Sequence, residues 1–395
     1  MDISNIEKRT FQEIDDVLDL AKLKNEDLLP ISQTIYFHES DLNFDNIKLL
    51  EVDAHLLAEI QKGKTLIFKG DKDENAVLCS ETKTYDINET EISDSLLLMK
   101  GMKFNEDCKN IVDRKIVSTE VNAILFNYLE ALPGKPYLRK LEKLLNESIY
   151  KGPEHEFELN EAKLWTFDEL DSIIQSSTCE LKEALSNMDA VTIDNKVRLL
   201  DFEYHLRVLQ YMLKLIDENS WELDEIDYEI TLDSLKDIVP SEIVHSLFEK
   251  YTEESQVIDG KPHYSYKEKD ICILFAKALL SQAGKFSLDE FMQAWRTSVP
   301  EGMIPDETML YGIAIIDRST TPIGIWAFSE SSLPENINAR FKVLFEAREK
   351  WTVPEIAPYI KKLATEKLDV NALLAKYARA FKIDGVKYYC SKHCK

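Results

Sequence analysis

No window of the sequence comes near the ~18 consecutive apolar residues that a membrane-spanning helix requires, so no membrane span is expected. The opening stretch, MDISNIEKRTFQEIDD, is too acidic and too interrupted by polar residues to act as a secretory leader. Cysteine is sparse and scattered. Cys79, Cys108, Cys179 and Cys272 lie far apart from one another and from the pair Cys390 and Cys394, which implies no disulfide framework and fits reduced thiols of a cytosolic or nuclear protein. Dense Lys/Arg clusters are missing too, so any nuclear import signal is expected on a partner.

The signatures of catalysis are equally thin. Gly63-Lys64-Thr65 has the ending of a phosphate-binding loop, but Ala58 stands where the earlier glycine is required, so ATP hydrolysis is not expected. GDKDEN begins like a calcium loop at Asp71, Asp73 and Asn75. Its sixth position is Ala76 and its twelfth Thr82, where glycine and a bidentate glutamate belong, and it reads as a hairpin turn. Cys390, His393 and Cys394 offer three of the four ligands of a structural zinc, with nothing nearby to complete the set. His38, His55, His155, His205, His245 and His263 form no HExxH pair, and no Gly-x-Ser-x-Gly elbow occurs. Acidic neighbours such as Asp15-Asp16 are uninformative in so acidic a chain. Neither an enzyme, a cofactor nor a metal is expected.

What is present is enough for several cores: 395 residues at 44% hydrophobic content predict two to four domains. Strand signals gather in the first ~120 residues, at 65–70, 75–80, 83–87 and 95–99, separated by polar turns as in a meander or small barrel. A helix pattern follows near Leu138 to Leu145, and Lys151-Gly152-Pro153 reads as a stop leading into a linker. Helices dominate from there.

Three related segments recur at irregular spacing: WTFDEL from Trp165, FSLDEF from Phe286 and WTVPEI from Trp351. Each places Ser or Thr at an N-cap (Thr166, Ser287, Thr352) and Glu three residues later (Glu169, Glu290, Glu355), which predicts a capping box. An aromatic residue precedes each cap, and Leu170, Phe291 or Ile356 stands ready as a hydrophobic staple. A second helix and two β-rich runs follow each box: 180–188 and the runs about Asp194-Asn195, 307–311 with GIAIID and IGIWAF, then 370–380 with FKIDGVKYY. A further helix precedes the second and third boxes, at 271–282 and 339–350. Asp384-Gly385 is a type I′ hairpin signal. The fold class expected is therefore α+β. It comprises a β-rich barrel-type domain (1–120), a connecting helix and linker (121–158), and three tandem winged helices (159–232, 233–332 and 333–395).

Charge separates these segments. Between Tyr359 and Lys395 nine Lys or Arg face three Asp or Glu, a local +6 that leaves 39 against 69, or −30, on the rest. An anionic body repels nucleic acid at long range, so DNA contact is expected only at the basic end. Glu180 and Glu183 in the first segment, and Asp306 and Glu307 in the second, would repel phosphates. In the third, Val370, Leu373, Leu374 and Tyr377 form the buried stripe, leaving Ala372, Ala375, Lys376 and Arg379 outside. In the ribbon, Lys382 and Lys387 flank the turn while Ile383 and Val386 are expected to pack inward. The candidate DNA-binding residues are Lys376, Arg379, Lys382, Lys387 and Lys392.

GDKDENAVLCSETKTYDI (70–87), SVPEGM (298–303) and REKWTVPEIAPYI (348–360) resemble the Dcc-one family of sister chromatid cohesion proteins, in the same order along nearly the whole chain. The resemblance implies a nuclear, noncatalytic subunit of the cohesion-type replication factor C-like complex, which loads or unloads the sliding clamp PCNA in DNA replication and the cell cycle. It also implies a barrel shared with a small partner subunit and the C-terminus of the large clamp-loader subunit. Three winged helices would follow, the last implicated in contact with single- or double-stranded DNA, and the assembly would dock on the catalytic subunit of DNA polymerase epsilon. The competing expectation is a protein-only winged-helix scaffold, cullin-like or lid-type, that never meets nucleic acid.

Overall fold

The computed structural model describes residues 9–24, 26, 28–37, 47–108, 112–158, 163–258, 260–282, 284–364 and 368–392. It divides into two compact units, residues 1–144 with 165–188, and residues 145–164 with 189–395. Among the described residues no helix is long and apolar enough to cross a membrane.

The first unit carries, in order, α1 (Phe11–Leu20), β1 (Ile31–Phe37), β2 (Leu50–Glu51), α2 (Ala54–Gln61), β3 (Ile67–Lys69), β4 (Val77–Cys79), β5 (Thr84–Met99), α3 (Asn105–Cys108), β6 (Lys115–Pro133) and most of α4 (Arg139–Asn146). Strands β3 to β6 form an antiparallel meander, and β1 and β2 then join β6 in parallel, giving the order β1-β6-β5-β4-β3. The expected β-rich domain is present, but not as a closed barrel. Among the described residues β1 pairs only with β6 and β3 only with β4, so the sheet is open at both edges. The runs at 83–87 and 95–99 are not separate strands but the two ends of β5, whose register against β6 shifts between Glu91 and Leu96. Such a shift bends a ribbon that alternation alone would keep straight. Leu56, Leu78, Tyr85 and Ala131 form the core beneath the sheet.

The GDKDEN stretch is a hairpin turn between β3 and β4, with the Glu74 N–H donating to Asp71 O at 3.0 Å. Gly63-Lys64 ends a helix instead of opening one. Gly63 takes φ 71°, its N–H donates to Ile60 O, and the Lys64 N–H reaches Glu59 O, closing α2 with the paired bonds of a glycine C-cap.

Helices α5 (Phe167–Ile173) and α6 (Thr178–Asn187) also belong to the first unit. Both open with complete capping boxes, Thr166 with Glu169 and Ser177 with Glu180. They are tied to the sheet by buried polar contacts: Lys69 Nζ donates to Asp171 (3.2 Å) and to Ser176 O (2.8 Å), Gln175 donates to Lys69 O and Asn75 O, and Thr84 donates to Glu180. The hairpin β7 (Ala190–Ile193) and β8 (Lys196–Leu199), which the sequence pattern joins to these helices, is part of the second unit. Its turn residues Asp194 and Asn195 both adopt positive φ, as a two-residue turn demands. The segment read as a linker is a 3-10 turn over Pro153–Glu158, where Arg198 donates twice to Glu156, at 2.8 and 3.0 Å.

Within the second unit one element order occurs three times: helix, short extended stretch, helix, a further helix or 3-10 turn, hairpin. The first instance is α7 (Phe202–Asn219), Ile226, α8 (Tyr228–Leu235), α9 (Ser241–Tyr251), β9 (Thr252–Ile258) and β10 (Lys261–Tyr266). The second is α10 (Glu268–Gln282), β11 (Phe286–Ser287), α11 (Leu288–Ser298), a 3-10 turn (Glu307–Leu310), β12 (Ala314–Asp317) and β13 (Gly324–Ala327). The third is α12 (Ile337–Ala347), Trp351, α13 (Val353–Ile360), α14 (Val370–Tyr377), β14 (Ala378–Ile383) and β15 (Val386–Ser391). In each, the extended stretch pairs with the last strand: Ile226 with Tyr264, β11 with β13, Trp351 with Tyr389. The instance at 202–266 was not legible, because Asp227 caps α8 alone and Ile230 occupies the position where a box carries glutamate.

The second capping box is also corrected: Ser287 makes no side-chain cap bond. It is taken up in β11 opposite Gly324, and the Leu288 N–H donates instead to Ile323 O at 2.8 Å. The third box forms, with Glu355 accepting from the Thr352 N–H (2.9 Å) and hydroxyl (2.7 Å). All three staple residues, Leu170, Phe291 and Ile356, are fully buried.

His205 on α7 lies buried with its Nε2 2.9 Å from the Tyr251 hydroxyl, and burial, reinforced by Lys250, pushes its pKa down to about 4. Because the folded value lies below the unfolded one, its contribution is intact above about pH 6.5 and is lost as pH falls toward 4. Between about pH 7.5 and pH 5 the wild type should therefore lose ~2 kcal/mol more unfolding free energy than His205→Gln. Urea unfolding of both proteins measures this, and parallel pH profiles would refute it.

Candidate nucleic-acid interface

The third instance is built on its own core of Phe341, Leu344, Trp351, Ile356, Tyr359, Leu373, Leu374 and Tyr389, joined by Ile315 of β12. Trp351 holds the centre, its indole N–H donating to Arg348 O at 2.8 Å, its backbone paired both ways with Tyr389. Asp369 caps α14 by accepting from the Ala372 N–H (2.7 Å). Leu373 and Leu374 are buried, Val370 and Tyr377 half-buried, and Ala375 and Lys376 exposed, so the helix stripe lies where its periodicity places it.

The helix is shorter than expected. It ends at Tyr377, and Ala378 is extended and paired with Ser391, so Arg379 stands on a strand and not on the helix. Asp384 and Gly385 take φ 50° and 81°, the two positive values of a type I′ turn. Register then sorts the ribbon into two faces, since directly opposed residues share a face and the side-chain period is two. Tyr389 is buried, which makes Ala378, Ala380, Lys382, Lys387, Tyr389 and Ser391 the core-side face. Arg379, Phe381, Ile383, Val386, Tyr388 and Cys390 form the other, on which Cys390, farthest from the turn, is buried.

This parity overturns the inward packing of Ile383 and Val386, which are 40% and 46% exposed. They lie on the face opposite Tyr389, at the turn. Lys382 and Lys387 are the residues on the core-side face, but they sit past the end of the core and are exposed, directly across from each other. Lys387 also lies 5.0 Å from the Tyr389 ring centre, and Lys376 5.4 Å from that of Tyr377.

All five sequence-predicted residues, Lys376, Arg379, Lys382, Lys387 and Lys392, are exposed, and among the described residues none makes an ion pair. The fold brings Lys382 and Lys387 together and puts Arg379 on the reverse face. His393 and Cys394, considered with Cys390 as metal ligands, lie outside the described residues; among the described residues no group of three or more His, Cys, Asp or Glu could hold a metal. The reading of the residues missed Lys350, exposed, with its ammonium 5.9 Å from the Phe381 ring centre. Strand alternation counted outward from Trp351 was the signal for it. Of the neighbouring cations, Arg348 is committed to Glu355 (2.8 Å) and Lys362 to Glu330 (2.6 Å).

The corresponding faces of the other two instances are anionic. Helix α9 exposes Glu242 and Glu249, and β9 exposes Glu253 and Glu254. In the second instance Glu307 pairs with Arg318, and Asp306 caps the turn through the Thr308 N–H.

These features define a mixed α+β protein: an open-sheet unit, then a serially helical unit ending in a cationic ribbon. The family model described as "Sister chromatid cohesion protein Dcc1" matches residues 47–360. Sister chromatid cohesion protein DCC1 of Danio rerio is 37% identical over 386 residues, covering 97% of this chain and 98% of the relative, and that of Homo sapiens is 36% identical over 390 residues, covering 98% and 99%. The Saccharomyces cerevisiae protein of the same name is 23% identical over 386 residues, covering 88% and 96%. The chain belongs to the Dcc1 family of sister chromatid cohesion proteins. All five candidate residues fall beyond the span matched by the family model.

Proposed function

We propose that this protein is a nuclear, noncatalytic subunit of a replication factor C-like loader of PCNA, acting by placement in DNA replication and cohesion. The three serial modules are read as winged helices, on their element order and on the pairing of the stretch after the first helix with the last strand. The two anionic modules present protein-binding surfaces, one of them for the catalytic subunit of DNA polymerase epsilon. The third steadies the loader on DNA through Lys376, Arg379, Lys382, Lys387 and Lys392. The open edges β1 and β3, where Ile35, Phe37, Ile67 and Phe68 are exposed, suit strand addition by other chains. In this reading the large clamp-loader subunit's C-terminus and a small partner subunit complete the barrel there. Tethering to polymerase and DNA raises the local concentration of the loader without any active site in this chain.

The observation that carries the reading is that Lys376, Arg379, Lys382, Lys387 and Lys392, all exposed, gather on the last helix and ribbon of a −24 molecule. Neutralising all five cations to Gln should lower DNA affinity of the full chain by about 10–100-fold at low salt and flatten the log–log salt slope by ~4. Fluorescence anisotropy across a salt series is the measurement. Unchanged affinity in a folded variant would exclude this surface and leave a protein-only scaffold.

A further inference from the structure

The reverse face of the C-terminal ribbon has a composition that phosphate binding does not explain. Phe381 and Tyr388 are opposed in register and stacked, with ring centres 6.0 Å apart and planes 25° from parallel. Both are only half-buried, Ile383 and Val386 continue the apolar surface to the turn, and exposed Arg379 and Lys350 border it. The core-side face, by contrast, presents the opposed pair Lys382 and Lys387. One face is cationic; the other is aromatic with cations at its margin.

A duplex offers phosphates and base edges, while the faces of its bases are hidden in the stack. Rings on a ribbon therefore gain little from a duplex. Unpaired bases expose their faces, and stacking on aromatic side chains contributes about 1–3 kcal/mol per base with little sequence preference. We propose that this outward face, centred on Phe381 and Tyr388 with Arg379 and Lys350 at its edge, is a stacking surface for unpaired bases, giving the module a single-strand site distinct from its phosphate contacts. The inference rests on the DNA-binding reading above and specifies the form of nucleic acid. Charge favours this occupant over a protein segment, because the tail's local +6 complements a polyanion.

The test uses the full chain and three probes: a fluorescent oligothymidylate, an abasic strand with the same number of phosphates, and a duplex of equal length. The Phe381→Leu/Tyr388→Leu variant retains apolar volume but no rings. It should lose about 10-fold or more in affinity for oligothymidylate, stay within about twofold on the abasic strand and duplex, and keep the wild-type salt slope. The ring-conserving Phe381→Tyr/Tyr388→Phe variant should match wild type, which separates loss of stacking from loss of fold. Equal losses on all three probes, or no loss on oligothymidylate, overturn the proposal. The second result, with apolar contacts then lost to a protein ligand, would assign the face to a protein. Wild-type protein that binds the duplex but not the single strand refutes this inference alone; binding to neither refutes the DNA reading as well.

Discussion

Replacing Arg340 with alanine is expected to destabilise the C-terminal module by about 3–5 kcal/mol, as removal of one partner from a buried ion pair does. The guanidinium is 4% exposed and satisfies four acceptors: Pro334 O (2.7 Å), Glu330 (2.6 Å), Tyr359 O (2.8 Å) and Leu333 O (3.3 Å). Glu330 keeps Lys362 when Arg340 is removed, but the three carbonyls are left without their donor. Burial pushes the Glu330 carboxyl up, and the bonds from Lys362 and Arg340 more than offset this, so its pKa falls below the usual range. A lowered folded value means that this stabilisation is present at neutral pH and lost in acid. Arg340→Lys should recover little, since a point charge cannot reproduce the guanidinium fork. Urea unfolding measures the effect, and a loss under about 1 kcal/mol would mean that water replaces the guanidinium. None of the side chains proposed to contact DNA changes in this variant. Its DNA binding should accordingly fail near its lowered melting point and return on cooling.

The second large effect lies in the first unit. Asp171→Ala leaves the Lys69 ammonium, with 4% of its side chain exposed, without a carboxylate. A cost of about 3–5 kcal/mol is expected. Lys69→Met in the same chain should restore only part of it, because Ser176 O and the Thr178 hydroxyl, which also engage this pair, remain unmatched. Hydrogen exchange should locate the damage: amides of 165–188 lose protection as α5 and α6 loosen from the sheet, while those of 202–391 keep it. Unchanged protection in α5 and α6 would show that Gln175 and Glu180 suffice to hold them.

Local signals were read well where a short stretch sets its own backbone. The I′ turn at Asp384-Gly385, the caps at Thr166 and Thr352, and the α14 stripe all depend on neighbours within four residues. Ser287 shows the limit. Its cap pattern is as good as the others, yet a strand partner, Gly324, claims the residue, and no short window contains that partner. The module at 202–266 went unread for the converse reason, a cap without the glutamate that makes one conspicuous.

The candidate site was half legible. Exposure of the five cations follows from helical period and strand alternation, but the face each strand residue takes needs an origin. That origin is Tyr389, whose burial depends on Trp351, a residue almost forty positions earlier. Ile383 and Val386 were misplaced for want of it, and the aromatic face with Lys350 stayed hidden.

By itself the sequence determined the element types, the separation of an anionic body from a cationic end, and family membership, since composition, period and ordered motifs require no knowledge of distant contacts. Tertiary structure alone decided that the N-terminal sheet stays open, that α5 and α6 side with it while β7 and β8 do not, and which face of the last ribbon is aromatic. Each of those outcomes turns on a pairing between residues far apart in the chain, set by buried polar contacts and strand register that no local pattern encodes.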